Sequence, residues 1–262
     1  MEKFDYYKKI EDLKQYQELS WNIPEQKSGK ISLIGGNSQS FSNIIKNAEF
    51  LQQKFPIKNL NIVLPDSLKN KLPPLPNFVF TEATESGSFA KSDALNATFS
   101  SSDFNVLLGD FSKNSATCVA IANALKSSSV PTVFARDSID LLLPEMVNII
   151  EKDNLFFIGT MAQFQKLFRA VYYPKMLLLS MPLMQAIENL HKFTLSYPCT
   201  IITFFENQII IANSGKVVSI PISKTNYTPL SLWNGELAEK IAAMNLFSPE
   251  KPLEATISSL VS

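Results

Sequence analysis

From Gly29 to Val171 the chain alternates two kinds of hydrophobic pattern. The first is a set of short apolar runs, Ile31–Ile34, Asn61–Leu64, Phe78–Phe80, Val106–Leu108, Thr132–Phe134 and Leu155–Ile158, most of which stop at Gly, Asp, Pro or another polar residue. Continuous apolar runs of this length read as strands buried on both faces. The second is helical spacing: Ile44, Ile45, Ala48 and Leu51 share a face in "FSNIIKNAEFLQQKF", and "SATCVAIANALKSS", "DLLLPEMVNIIEK" and "MAQFQKLFRAV" each follow a strand. Strands alternating with helices predict an α/β fold with a mostly parallel sheet covered on both faces. The last third changes period. "PCTIITFFENQIIIANSGKVVSIPIS" predicts antiparallel strands turning at Glu206-Asn207 and at Asn213-Ser214-Gly215, an edge decoration on the parallel sheet. At the other end, Phe4, Tyr7, Ile10, Leu13 and Tyr16 have helical spacing, so residues 1–28 read as an N-terminal amphipathic helix and connector, and 29–262 as one domain. The Ser-rich "ATFSSSD" and "KSSSV" read as loops.

Composition narrows the function classes. Of 262 residues, 45% are apolar and 18% charged, enough for a well-buried core. Lys+Arg and Asp+Glu are 24 each, so no net field draws the chain to nucleic acid or to an anionic membrane. The charged start "MEKFDYYKKIEDL" has no apolar core of a signal peptide, and the apolar stretch "KMLLLSMPLM", about ten residues interrupted by Pro182, is too short to span a bilayer. Two distant cysteines, Cys118 and Cys199, fit a reducing compartment, and a cytoplasmic location is expected.

Candidate chemistry gathers at strand ends. Ligands of parallel sheets sit at the carboxyl ends of the strands. Gly35-Gly36-Asn37-Ser38 and Gly109-Asp110 each lie between a strand and a helix there, although neither has dinucleotide or Walker spacing and each also reads as a plain turn. Asp137, just after a strand, reads as a site residue or a helix N-cap; Asp140 reads as an exposed helix position. The single histidine, His191, has no acidic partner at motif spacing, which argues against a Ser-His-Asp site, and no cluster of metal-ligating residues is visible. Near the C-terminus, "SLWNGELAEKIAAM" predicts a helix with Asn234 as cap, Glu236 in its first turn and a buried stripe of Leu237, Ile241 and Met244. Glycine and an acid at a helix N-terminus suit either phosphate binding or simple capping.

The order of these blocks resembles the ADP-dependent NAD(P)H-hydrate dehydratases of the ribokinase-like superfamily, from about Gly29 to Met244. "GKISLIGGNS" is similar to their G-K-V-L-I-I-G-G-S, "VLLGD" sits at their I-G-P-G-L-G turn, and "PTVFARDSIDLL" is similar to P-V-V-L-D-A-D-A-L-N-L-L. "FIGTMAQFQKLF" matches L-T-P-H-P-G-E-F-A-R-L, "TIITFFENQIIIANSGKV" the strand carrying Lys-Gly and its hairpin, and "SLWNGELAEKIAAM" the anion-hole turn G-G-[ST]-G-D-V-L-A-G-I-I. The resemblance implies a ribokinase-like fold and nucleotide-dependent removal of water from hydrated NAD(P)H. ADP or ATP would be the nucleotide, with magnesium as an accompanying ion, and the protein would form a homo-oligomer through the N-terminal helix and edge hairpin. Glu236 then stands for the catalytic Asp, and Asn234 and Gly235 for the anion hole. Gly35, Gly36, Asn37, Ser38, Gly109, Asp137, Thr160 and Gln163 fall on the substrate side. The chain departs from the pattern at Ala135 (for Asp), Thr160 (for His), Gln163 (for Glu), Phe204-Phe205 (for Lys-Gly) and at Leu232, Trp233 and Asn234, which replace the earlier residues of the anion hole. Such departures open two alternatives on the same fold. One is a catalytically inactive nucleotide-binding or assembly protein, the other a small-molecule kinase.

Overall fold

The structure is a computed structural model that describes residues 5–231 and 234–261. The chain enters its sheet earlier than the N-terminal pattern predicts. In place of an amphipathic helix, Tyr7–Lys9 form strand β1, and only Lys14–Gln17 are α-helical (α1), followed by a 3₁₀ segment to Asn22. Phe4 lies outside the described residues, while Ile10 and Leu13 are buried as the spacing suggests. The sheet edge overrides the local period. Tyr7, Lys8 and Lys9 pair in parallel with Val217, Val218 and Ser219, Val217 N donates to Tyr6 O at 2.7 Å, and Ile10 N donates to Ser219 O at 2.8 Å. An edge strand presents a row of main-chain donors and acceptors that must be satisfied, and β1 satisfies them. The hairpin edge proposed as a contact surface is therefore covered by the chain's own N-terminus.

The apolar runs form β2 (Ser28–Gly35), β3 (Ile57–Pro65), β4 (Phe78–Thr81), β5 (Phe104–Gly109), β6 (Thr132–Ala135) and β7 (Leu155–Ile158). The final β segment gives β8 (Cys199–Phe205), β9 (Gln208–Asn213) and β10 (Lys216–Pro221). Both hairpin turns have two residues with positive φ, Glu206 (44°) with Asn207 (60°) and Ser214 (47°) with Gly215 (77°). That backbone matches the right-handed twist of the flanking strands. The ten strands form one sheet in the order β1-β10-β9-β8-β7-β6-β5-β2-β3-β4, with β9 antiparallel to both its neighbours and every other pair parallel.

One face of the sheet is covered by α3 (Asp93–Ser100), α4 (Ser115–Ser127), α5 (Ser138–Leu142), α6 (Met161–Ala170) and α7 (Leu183–Ser196). The other is covered by α2 (Ser42–Lys54), α8 (Glu236–Phe247) and α9 (Pro252–Ser258). Helix α3 takes in residues 97–100 of "ATFSSSD" and leaves 101–103 as the connection: Leu95, Thr98 and Phe99 are buried, and Ser92 Oγ caps the helix by accepting from Leu95 N at 3.2 Å. The helix predicted over "DLLLPEMVNIIEK" is shorter than its pattern, because Pro144 cannot donate into an α ladder and the chain continues as a 3₁₀ segment, Leu143–Asn148. His191 has a structural setting: Tyr6 stacks on its ring at 3.8 Å and its Nδ1 contacts Gly215 O. Cys118 and Cys199 are buried and unbonded, and burial pushes the Cys199 thiol up to about 12. Among the described residues, no helix is long and apolar enough to cross a membrane.

Candidate functional site

The strand order reverses between β2 and β5. From β2 the chain runs outward through β3 to β4, and from β5 it runs the other way through β6 and β7 to β8. A crevice at such a reversal, beyond the strand ends, is where α/β sheets take ligands. Gly35 pairs with Gly109 at this point, and a Cβ on Gly35 would stand 2.6 Å from Gly109 O. Gly36 N donates to Gly109 O at 3.0 Å. Asn37 holds the loop with both ends of its amide. Its Oδ1 accepts from Gln39 N at 2.8 Å and Ser40 N at 3.2 Å, while its Nδ2 donates to Asp110 O at 2.5 Å. Ser38 is tied through its main chain, donating to Gly87 O at 2.9 Å and accepting from Lys71 Nζ at 2.7 Å.

The loops after β5 and β6 are locked to one another. Arg136, which the sequence reading passed over, forks onto Asp110 with nitrogen–oxygen distances of 2.9 and 3.3 Å, and the two side chains are only 17% and 16% exposed. Asp137 Oδ1 accepts from Asp110 N at 2.8 Å. Burial pushes the Asp137 carboxyl above the usual carboxylate range, and that backbone bond partly opposes the rise. Both Asp110 (φ 57°) and Arg136 (φ 59°) sit in the left-handed region, which their bidentate pair holds in place. Although Asp137 precedes α5, its side chain makes no capping bond. Asp140 is more than an exposed helix position: it pairs with Lys166 at 2.7 Å and accepts from Gln163 Nε2 at 2.7 Å.

Thr160 and Gln163 have a local reason to be what they are. Thr160 Oγ1 accepts from Gln163 N at 3.2 Å, and Gln163 Oε1 accepts from Thr160 N at 3.0 Å, a reciprocal capping box on α6. Gln163 Nε2 then reaches Arg136 O at 2.8 Å, joining the β7 loop to the β6 loop. Thr160→Ala is expected to cost about 1 kcal/mol, the usual worth of such a cap; the midpoint of urea denaturation measures it. Beside these loops an open depression of about 450 Å³ is lined by Lys113, Asn114, Ser115, Asp137, Asp140 and Lys166, among others.

The α8 N-terminus lies on the other face of the sheet, against Leu108 of β5 and Asn47 of α2. Gly235 rather than Asn234 is the cap residue, at φ 98°, and a Cβ there would stand 2.9 Å from both Asn47 Nδ2 and Leu108 Cδ2. Asn234 acts one step earlier: its Oδ1 accepts from Glu236 N at 3.0 Å, and its main-chain oxygen accepts from Asn47 Nδ2 at 3.2 Å. Leu232 and Trp233 lie outside the described residues. Glu236 has its side chain 37% exposed, and its Oε1 is 3.6 Å from Lys240 Nζ. Leu237, Ile241 and Met244 are buried as expected, but the burial extends round the helix to Glu239, which is fully inaccessible with both carboxyl oxygens unpartnered. Burial, reinforced by the Glu236 charge, raises the Glu239 carboxyl well above the usual range. Burial lowers the Lys240 ammonium, against the pull of Glu236. Helical periodicity gave no sign that the 239 position faces the interior, since an acid at that step reads as solvent-facing.

No family model matches the chain, and no curated protein matches its sequence. Solved structures do match in shape. A ribokinase-like superfamily protein from Enterococcus faecalis V583 superposes with a TM-score of 0.66 at 15% identity, covering 98% of this chain and 85% of that one. YxkO of Bacillus subtilis, a member of the UPF0031 family, gives 0.58 at 12% identity over 93% and 84% of the two chains. An ADP complex of Bacillus subtilis pyridoxal kinase gives 0.50 at 11% identity over 88% and 89%. At these identities the likeness establishes the fold, which is ribokinase-like.

Proposed function

We propose that the chain is a ribokinase-like protein of the NAD(P)H-hydrate dehydratase type, which binds ADP or ATP at the N-terminus of α8 and uses Glu236 as its acidic group. The observation that carries this reading is the first turn of α8. Gly235 is left-handed where a side chain would strike Asn47 and Leu108 near the end of β5, and the partly exposed Glu236 carboxylate follows it in the first turn. The helix dipole at such a turn favours phosphate, and a bound phosphate would have to displace Asn234 Oδ1 to use the Glu236 amide. In a reaction of this type Glu236 takes the proton of the hydrate's hydroxyl as that oxygen attacks the terminal phosphorus of ADP or ATP; the P–O bond to AMP or ADP breaks, and the C–O bond of the phosphorylated hydrate then breaks to release phosphate and NAD(P)H. Among the described residues no three His, Cys, Asp or Glu side chains come together as a cage for magnesium. Such an ion would arrive on the phosphates with its waters.

A second reading, a binding or assembly protein without turnover, is favoured by one observation. The groups on the substrate side are spent on each other: Arg136 on Asp110, Asp137 on the Asp110 amide, Gln163 on Thr160, Arg136 and Asp140. A small-molecule kinase fits the same fold, with Glu236 deprotonating a different hydroxyl. Two measurements separate these. Thermal melting with ADP, ATP, NAD and NADPH in turn is expected to show a rise with a nucleotide, since ligand in excess stabilises by mass action; no rise with any of them sinks the nucleotide reading. Dehydration of hydrated NADH, followed optically, is then expected to fall at least a hundredfold in Glu236→Gln. Equal rates in wild type and variant remove Glu236 as the base, and no rate in either, with binding intact, selects the second reading or the kinase.

A further inference from the structure

Tyr7–Lys9, expected as part of a helical contact surface, form a strand, and that strand covers the hairpin edge. Apolar surface remains open elsewhere, on the connection between α6 and α7. This connection is held in place. Leu177 and Met181 are buried in the core on that face of the sheet. Gln165 Nε2 of α6 donates to Leu177 O at 2.8 Å, and Asn189 Nδ2 of α7 donates to Met176 O at 3.1 Å. With Leu177 and Met181 turned inward, Met176, Leu178 and Leu179 are left in solvent, Leu179 being 61% exposed. Tyr172 begins the strip, and Met184 in the first turn of α7 ends it, both exposed. The five residues present roughly 600 Å², the upper end of what a monomer commonly leaves open as apolar patch.

Two further observations connect the strip to a partner. The first is the backbone of Tyr172. It follows the end of α6 with φ 53°, the left-handed position that often closes a helix and that glycine fills without a Cβ penalty. A tyrosine there is strained, and its residue is 85% exposed, so packing within the chain repays little of that strain. The second is charge. Glu188 on α7 is paired with Lys192, and Lys192 and then Lys175 hold its carboxyl below the usual range. The rim of the strip therefore carries both signs. An anionic lipid surface would call for cations alone. Mixed signs suit a second copy turned by a two-fold axis, since each copy then offers both halves of an ion pair. Lys+Arg and Asp+Glu are equal at 24 each, so no net repulsion keeps two copies apart.

We propose that the strip from Tyr172 to Met184 is the contact surface of a symmetric dimer, and that its occupant is a second copy of this chain. A standard interface takes about 800 Å² from each partner. The apolar strip supplies most of that area and the charged rim the remainder, the usual arrangement of an interface core and its border. The inference does not depend on the nucleotide reading.

The test is sedimentation velocity of the full chain over a micromolar concentration series. The samples are wild type, Leu179→Lys, Tyr172→Gly and a control, Trp21→Lys, whose segment packs on the opposite face of the sheet. Wild type is expected to show a concentration-dependent dimer. Leu179→Lys is expected to weaken it at least tenfold, because the contact would bury an unpaired ammonium, while circular dichroism shows the fold unchanged. Tyr172→Gly is expected to weaken the dimer at least tenfold, as loss of a central tyrosine does, and to raise the urea midpoint of the diluted monomer by relieving the left-handed strain. A midpoint that does not rise shows that the ring is used within the chain and overturns its assignment to the contact. Trp21→Lys is expected to leave the dimer as it is, although Trp21 is 81% exposed. A wild type that is monomeric at every concentration overturns the proposal, and flotation of that monomer with vesicles of anionic lipid assigns the strip to a membrane surface instead. A dimer that survives both strip variants, or that Trp21→Lys dissociates equally, overturns it as well.

Discussion

Gly109→Ala is expected to destabilise the protein by about 3–5 kcal/mol, through two costs that arise at one atom. The backbone at Gly109 is left-handed, with φ 78°. An L-residue there loses roughly 1–2 kcal/mol. The added Cβ would also fall inside the contact radius of Asp137 Oδ1. The carboxylate must then leave the Asp110 amide, which it holds at 2.8 Å. A displaced, buried carboxyl without its donor costs a further ~2–3 kcal/mol. Urea denaturation measures the sum. The double variant with Asp137→Ala separates the two costs, because removing the carboxylate relieves the steric part; the paired loss should be well short of the added single losses. A loss below about 1 kcal/mol in Gly109→Ala would show that Asp137 swings aside freely and does not lock the loops.

Glu239→Leu is expected to stabilise the protein at neutral pH by about 1–3 kcal/mol, the range that proteins show for a buried polar group without a partner. The gain should depend on pH in one direction. In the folded protein the Glu239 carboxyl binds its proton more tightly than in the unfolded chain, because burial and the Glu236 charge both oppose ionisation. Over the range above the ordinary value of 4.5 the unfolded state has released this proton and the folded state has not. Wild-type stability is therefore fullest below that value and declines as pH rises towards the folded-state pKa, by up to about 1.4 kcal/mol per pH unit from this group. Asp137 contributes a decline of the same sign, so the informative quantity is the difference between wild type and Glu239→Leu at each pH. That difference should grow from pH 5 to pH 8. A constant difference would mean that Glu239 titrates alike in both states, and a loss of stability in the variant would mean that leucine cannot fill the space. Melting temperatures should follow at about 2–4 °C per kcal/mol for a chain of this size.

These two residues mark how far the candidate site was legible in the sequence. The strand-end loops could be located because glycine, aspartate and asparagine interrupt apolar runs for a local reason: the chain must turn sharply there. Thus the sequence alone places Gly35, Gly36, Asn37, Gly109 and Asp137 at one edge of the sheet. What those residues hold was not readable. The Arg136–Asp110 fork joins residues 26 apart, and the Gln163–Arg136 bond joins residues 27 apart. Neither separation corresponds to a helical or strand period, so no pattern along the chain could reveal them. Glu239 was missed for the opposite reason, because the local pattern was clear and misleading: in an amphipathic helix an acid is assigned to water, whereas α8 is enclosed on all sides.

The sequence by itself determined the alternation of strand and helix, the places of both hairpin turns and a helix beginning near Asn234-Gly235-Glu236. These rest on short-range causes: continuous apolar runs, positive-φ residues at turns, and the spacing of Leu237, Ile241 and Met244. The tertiary structure decided the rest. It made a strand of Tyr7–Lys9, because the open edge of β10 offers hydrogen bonds that an isolated helical turn of that segment cannot match. It spent the polar groups at the strand ends on one another, and it enclosed Glu239 and Lys240. A contact between residues distant in sequence has a free energy only once the fold has brought them together, so such contacts are settled by packing and not by pattern.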